Sequence, residues 1–134
     1  MKKIDLACII DDDPIFVFSA KKIMELADFC NGFMVFHNGK EALNHLDAVI
    51  STGEELPDVI LLDLNMPVMD GWEFLEEFIK IESEKVITIY IVSSSIDPGD
   101  INKAKSYDNV SNYIVKPVTI ESLKSVLQNH TSQN

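Results

Sequence analysis

Val59 to Leu62 are four apolar residues in a row, preceded by Pro57-Asp58 and ended by Asp63. A run this short with no polar residue in it reads as a strand buried on both faces, as in a parallel sheet. Asp63 then stands where such a strand leaves the sheet at its C-terminal edge, the place where open α/β sheets bind ligands. Asn65, Met66 and Pro67 turn the chain, and Met69-Asp70-Gly71 leads into a helix.

The rest of the chain repeats this unit. Ile4 to Ile10 is a first apolar strand ending in Asp11-Asp12-Asp13, with Asp13 placed as an N-cap and Pro14 as the first helical residue. Phe16, Ala20, Ile23, Met24 and Ala27 recur at helical spacing and should face the sheet. Phe33 to Phe36 is a short second strand. Asn38 and Gly39 open a helix with Ala42, Leu46 and Val49 on one side, and Ser51 to Pro57 is a polar loop. Gly71 to Ile81 is a third helix with Phe74, Leu75 and Phe78 inward. Val86 to Val92 is a fourth strand, followed by Ser93-Ser94-Ser95. Pro98 to Tyr107 is a short, weakly apolar helix, and Ser111 to Val115 a fifth strand closed by Lys116-Pro117. Thr119 can cap a last helix whose inner face is Ile120, Leu123, Val126 and Leu127, before a polar tail at 128–134. Five strands alternating with five helices predict an α/β fold, a doubly wound parallel sheet with helices on both faces. One domain, 1–134 with its core at about 4–127, accounts for the length, and there is no linker to an output module.

Charge narrows the partners. With 22 acids against 11 bases the net charge is −11, which argues against nucleic acid or an anionic membrane and for a basic partner or a bound cation. No apolar run approaches the ~20 residues of a membrane span, and the Met1-Lys2-Lys3 start does not resemble a signal peptide. Cys8, in an apolar strand, and Cys30, near a helix end, read as reduced thiols, which suits the cytoplasm.

In a parallel sheet all C-terminal strand ends point the same way, so Asp11 and Asp12, Asp63, Ser93 and Lys116 can converge on one pocket. Three carboxylates together repel one another unless a cation joins them. Oxygen ligands completed by water suit Mg²⁺. Lys116 and Ser93 suit phosphoryl oxygens, and Asp63 is then placed as a nucleophile toward phosphorus.

The set Ile10-Asp11-Asp12, Leu62-Asp63-Leu64-Asn65-Met66-Pro67 with Met69-Asp70-Gly71, Val92-Ser93, and Tyr113-Ile114-Val115-Lys116-Pro117 resembles the receiver domain of two-component response regulators. The resemblance spans residues 4 to 127 and implies the flavodoxin-like strand order 2-1-3-4-5. It implies a phosphorylation-dependent switch, not an enzyme beyond its own phosphotransfer and dephosphorylation. Asp63 would take phosphate from a sensor histidine kinase or phosphotransfer protein. Asp12 and Asp63 would ligate Mg²⁺ directly, Asn65 through its backbone carbonyl, and Asp11 largely through water. Lys116 would bind the phosphoryl group, Ser93 would move to hydrogen-bond it, and Tyr113 would swing inward in response. The Lys116-Pro117 bond would be cis. The output would be contact with a downstream protein, and dimers could form through the fourth helix, fifth strand and fifth helix.

Other polar residues have plainer readings. The cap explains Asp13 without a metal, Asp70 is a turn residue, and Trp72 and Tyr90 carry no assigned chemistry. His37, His45 and His130 lie at no metal-ligand spacing, and Glu54-Glu55 and Glu76-Glu77 are solvated faces. Ser93 stands where the family more often has threonine, and Asn109-Val110 where it often has Gly-Ala; Asn tolerates a left-handed turn there. Asn65 and Ser95 occupy positions that in this family influence how fast the phosphoryl group is lost. Ile15, Val17 and Phe18 crowd apolar side chains onto the first helix, and Ile15 with its neighbours is expected to dock a kinase's helical hairpin. Two competing functions are a small aspartyl-phosphate hydrolase using Asp11 of an Asp11-x-Asp13 motif, and an interaction module that is never phosphorylated.

Overall fold

The computed structural model describes residues 4–52, 56–81 and 86–124. Its elements run β1 (Ile4–Ile10), α1 (Pro14–Leu26), β2 (Cys30–Phe36), α2 (Gly39–Thr52), β3 (Val59–Leu62), α3 (Gly71–Phe78), β4 (Thr88–Ser93), α4 (Pro98–Lys105) and β5 (Val110–Val115). A fifth helix begins at Ile120 and continues to Lys124, the last described residue. The five strands form one sheet in the order β2-β1-β3-β4-β5, every pair parallel.

Two-residue alternation along the strands divides the core in two. Ala7, Ile9, Val59, Leu61, Tyr90 and Val92 face α1 and the fifth helix, meeting Phe16, Ala20, Met24 and Leu123. Cys8, Ile10, Ile60, Leu62, Ile89 and Ile91 face α2, α3 and α4, meeting Ala42, Leu46, Phe74, Leu75 and Ala104. Thus β3 is buried along its whole length, as an unbroken apolar run in a central parallel strand must be. Helix α4 buries Ala104 alone, in keeping with its weak apolar pattern.

Several boundaries differ from the sequence reading, each for a backbone reason. β2 starts at Cys30, not Phe33, because its ladder with β1 begins at Ile4↔Cys30 and is indifferent to the side chains of Asn31 and Gly32. Cys30 is therefore a strand residue. β4 starts at Thr88, not Val86, because β3 offers its first partner at Val59↔Thr88; Val86 is left 87% exposed. α2 runs on through Ser51 and Thr52, which shortens the expected loop, and residues 53–55, including Glu54-Glu55, lie outside the described residues. α3 stops at Phe78 and α4 at Lys105, with Ile79 and Ser106 as caps whose N–H groups turn back on the last helical carbonyls.

Asn109 is not left-handed: among the described residues outside glycine only Asp28 (φ 54°) and Val68 (φ 69°) have positive φ. The path into β5 is kept instead by ordinary turn bonds, Val110 N–H to Tyr107 O and Ile89 N–H to Asn109 O. Thr119 Oγ1 accepts from Ser122 N–H at 3.0 Å and caps the fifth helix as expected. Ile120 is not an inner-face residue; it opens that helix 56% exposed, and the first turn reaches the core at Leu123. Val126, Leu127, His130 and the polar tail lie outside the described residues.

Candidate functional site

The C-terminal ends of β1, β3, β4 and β5 share one edge of the sheet and carry the residues singled out above. Asp11 leaves β1 and is bonded to the neighbouring strand through Asp11 N–H to Phe36 O; Asp63 leaves β3 with its N–H on Ile10 O. These two bonds extend the β1 ladders by one residue on each side, so neither aspartate is free to drift. Oxygens of Asp11, Asp12 and Asp63 lie within 4.8 Å of one another, with Asp11 and Asp63 buried and Asp12 exposed. Asp13 caps α1, accepting from Ile15 N–H at 3.0 Å, as its sequence position predicts.

Lys116 reaches into this cluster from the end of β5. Its ammonium lies 2.8 Å from Asp11 Oδ2, 3.9 Å from Asp63 Oδ2 and 3.9 Å from Asp13 Oδ2, and 4.7 Å from the centre of the Phe16 ring. Asp13 thus has a second role beyond its cap. The Lys116–Pro117 bond is cis, and Lys116 N–H donates to Ser93 O.

One cation against three carboxylates leaves negative charge in excess. Burial, and then the neighbouring Asp11, push the Asp63 carboxyl up to about 6, against the pull of Lys116 and of the Asn65 and Leu64 N–H groups. Burial also raises Asp11, although Lys116 and the Asp13 N–H lower it. Asp11 Oδ1 accepts from Asp13 N–H at 2.9 Å, whereas buried Oδ2 has its counter-charge at 2.8 Å but no well-directed hydrogen bond. An acidic pocket with unspent oxygen lone pairs fits a hard divalent cation that keeps part of its water shell.

Glycine and strain shape the loop after Asp63. A Cβ on Gly71 would collide with the Asp63 carbonyl oxygen and stand 2.9 Å from Leu64 Cα, so only glycine lets α3 start this close to the site. Asp70 does more than turn the chain: it caps α3 in a capping box with Glu73, a pattern legible as Asp70-x-x-Glu73. Val68 is β-branched, left-handed and 78% exposed, a combination normally avoided.

Ser93 is fully buried, its Oγ accepting from Ser95 N–H at 3.2 Å. The hydroxyl of half-buried Tyr113 donates to Ser95 O at 2.9 Å. Sequence reasoning missed Asp100, which accepts from Ser95 Oγ at 2.6 Å and from Trp72 Nε1 at 3.1 Å. No spacing rule links these three, since the topology alone unites them. Asn65 is exposed, and its N–H helps hold Asp63 charged. Of the histidines, His45 packs on Phe36 with ring centres 5.3 Å apart, and His37 N–H donates to Glu41.

A two-component response regulator from Cytophaga hutchinsonii has a similar structure, with TM-score 0.85 and 32% identity over 99% of this chain and all of that one. Among curated proteins, the probable methanogenesis regulatory protein FilR2 of Methanothrix harundinacea is 28% identical over 90% of this chain and 77% of its own length. The probable C4-dicarboxylate response regulator DctR of Halalkalibacterium halodurans is 32% identical over 89% of this chain, which spans 48% of that protein. The family model of the response regulator receiver domain matches residues 7–128, nearly the whole chain. The fold, the acidic pocket and this match agree, and the chain belongs to the receiver domains of two-component signalling.

Proposed function

We propose that this chain is a phosphorylation-dependent switch that accepts a phosphoryl group on Asp63 from a histidine kinase or phosphotransfer protein. The observation that carries the reading is the Lys116 ammonium 3.9 Å from Asp63 Oδ2, with Asp11 and Asp12 beside it. An Asp63 oxygen attacks phosphorus as the P–N bond of phosphohistidine breaks, and the bonding pair stays on the imidazole nitrogen. Lys116 releases part of its hold on Asp11 to meet the added phosphoryl charge, and Ser93 supplies a hydroxyl donor. Asp11, Asp12 and Asp63, with the backbone carbonyl of Asn65, would hold Mg²⁺, which when bound offsets their repulsion and the phosphoryl charge.

Ile15 and Phe18 are exposed (76% and 71%) on α1, the helix that Asp13 caps beside the pocket, and suit a helical hairpin of the donor. Ser93 and Tyr113 carry the change to α4, β5 and the fifth helix, the face read by a downstream protein or a second copy. Both cysteines are buried thiols, in accord with a cytoplasmic switch, and no described helix is long and apolar enough to cross a membrane. The hydrolase alternative gains no support, because it leaves Asp63, buried beside Lys116, without a role. Acetyl phosphate with Mg²⁺ tests the reading. Wild type should acquire one phosphoryl group by mass, and Asp63→Asn none; an unmodified wild type refutes it.

A further inference from the structure

The first turn of α1 brings more to the pocket than the cap of Asp13. Phe16, in the same turn, is buried, and the Lys116 ammonium lies 4.7 Å from the centre of its ring. Of the three ammonium–ring pairs among the described residues this is the shortest, and the one whose ring is buried. The Lys103–Trp72 and Lys21–Phe33 pairs measure 4.8 and 5.6 Å and use half-buried rings. Lys116 is also drawn to Asp11 at 2.8 Å and to Asp13 and Asp63 at 3.9 Å. These attractions keep the end of a flexible four-carbon stem turned in from the edge strand β5, with the side chain 15% exposed.

The attractions are not alike. Asp11, Asp12 and Asp63 are also the carboxylates whose oxygens lie within reach of one metal ion. An ion held there takes up the charge that draws Lys116 inward and repels the ammonium besides, just when the lysine is needed for the phosphoryl group. Asp13 keeps its charge, but its side chain is 44% exposed and water screens it. The face of Phe16 ligates no Mg²⁺ and occupies none of the three N–H donors of the lysine. Its pull is left intact, and the donors stay free for phosphoryl oxygens.

We propose that Phe16 is a positioning residue, one that retains Lys116 in the pocket when a divalent cation loads the carboxylates. The inference rests on the receiver reading above and adds to it the group that lets the metal and the lysine share one pocket.

The test is calorimetric titration of the full chain, first with Mg²⁺ alone and then with beryllofluoride at saturating Mg²⁺. Without the ring, more of the Mg²⁺-loaded molecules hold the ammonium outside the pocket. Repulsion of Mg²⁺ is then relieved, while beryllofluoride, which needs the ammonium, finds fewer competent molecules. Phe16→Leu should therefore bind Mg²⁺ several-fold tighter and beryllofluoride weaker by a similar factor. Both shifts should fall within the roughly tenfold that a partly desolvated cation–π contact is worth. Mono-, tri- and pentafluorophenylalanine at position 16 nearly keep the shape of the ring while draining charge from its face, and should move both affinities stepwise in the same two directions. Should Phe16→Leu fail to fold, the fluorinated series decides alone. A loosened core would weaken both ligands together. Shifts of one sign, or affinities indifferent to fluorination, overturn the role of Phe16; a wild type that takes no beryllofluoride with Mg²⁺ overturns the receiver reading itself.

Discussion

Asp63 should be a burden on the folded state until a cation or a proton relieves it. Its carboxyl is raised from 3.8 to about 6, first by burial and then by Asp11. An acid with a raised folded pKa binds more protons folded than unfolded between those values, so its contribution falls as pH rises through that window. The stability is present below about pH 4 and lost above about pH 6, and the difference converts to ~3 kcal/mol as an upper figure. Asp63→Asn removes the charge while its amide oxygen can still accept from the Leu64 and Asn65 N–H groups. The variant should therefore be more stable than wild type by up to ~3 kcal/mol near neutral pH, with the gap closing toward about pH 4. Mg²⁺ should close it by the other route: at a hundredfold excess over its Kd it adds about 2.7 kcal/mol to wild type and little to the variant. Urea unfolding of both proteins across this pH range, with and without Mg²⁺, measures all three effects. A variant no more stable than wild type at neutral pH, a gap indifferent to pH, or equal stabilisation of both by Mg²⁺ would each refute the electrostatic account.

Other perturbations test the parts separately. Val68→Asn should raise stability by about 1 kcal/mol in thermal melts, because Asn accepts the left-handed φ of 69° more readily than a β-branched residue. Gly71→Ala should cost more than about 2 kcal/mol and slow labelling of Asp63 by acetyl phosphate, since the new methyl displaces the Asp63 carbonyl. Lys116→Met should weaken folding at neutral pH by several kcal/mol in urea melts, as it strips Asp11 of its 2.8 Å partner; the loss should shrink in acid. Ile15→Glu should slow phosphotransfer from a cognate donor without moving the melting temperature, and an unchanged rate would remove α1 as the docking face.

Much of this architecture was legible because each central strand is a closed apolar run ending in a chemically distinctive residue. β3 and β1 announced themselves in that way, and with them the edge on which Asp11, Asp12, Asp63 and Lys116 converge. The edge elements were less legible. Cys30-Asn31-Gly32 has no strand signature and joins β2 only because β1 supplies a ladder; Val86 has one and stays out because β3 begins too late to pair with it. Ile120 fits the helical stripe yet remains exposed, because periodicity assigns a face without saying where the helix meets the sheet. Asp100 escaped notice because its meaning lies in partners 28 and 5 residues away, which only the packing of α3 against α4 brings together.

Unfavourable features are distributed unevenly across the molecule. Below the C-terminal edge, Ile9, Ile10, Leu61, Leu62, Ile89 and Ile91 are essentially closed to solvent and carry no polar side-chain atoms. At the edge, the same strands end in two buried carboxylates with raised pKa, a left-handed valine and a helix start that tolerates no Cβ. Such features survive only where the surrounding structure over-determines them. Here the β1 and β3 ladders do so, extending through Asp11 N–H and Asp63 N–H right to the site. The consequence is an edge whose resting free energy is high in local terms while the scaffold beneath it is fixed. A ligand that brings positive charge, or a covalent group that recruits Lys116, then finds differential contacts to make in the loops alone. Under the proposed function the response would run through Ser93, Ser95 and Tyr113 in those loops while the sheet beneath stays fixed.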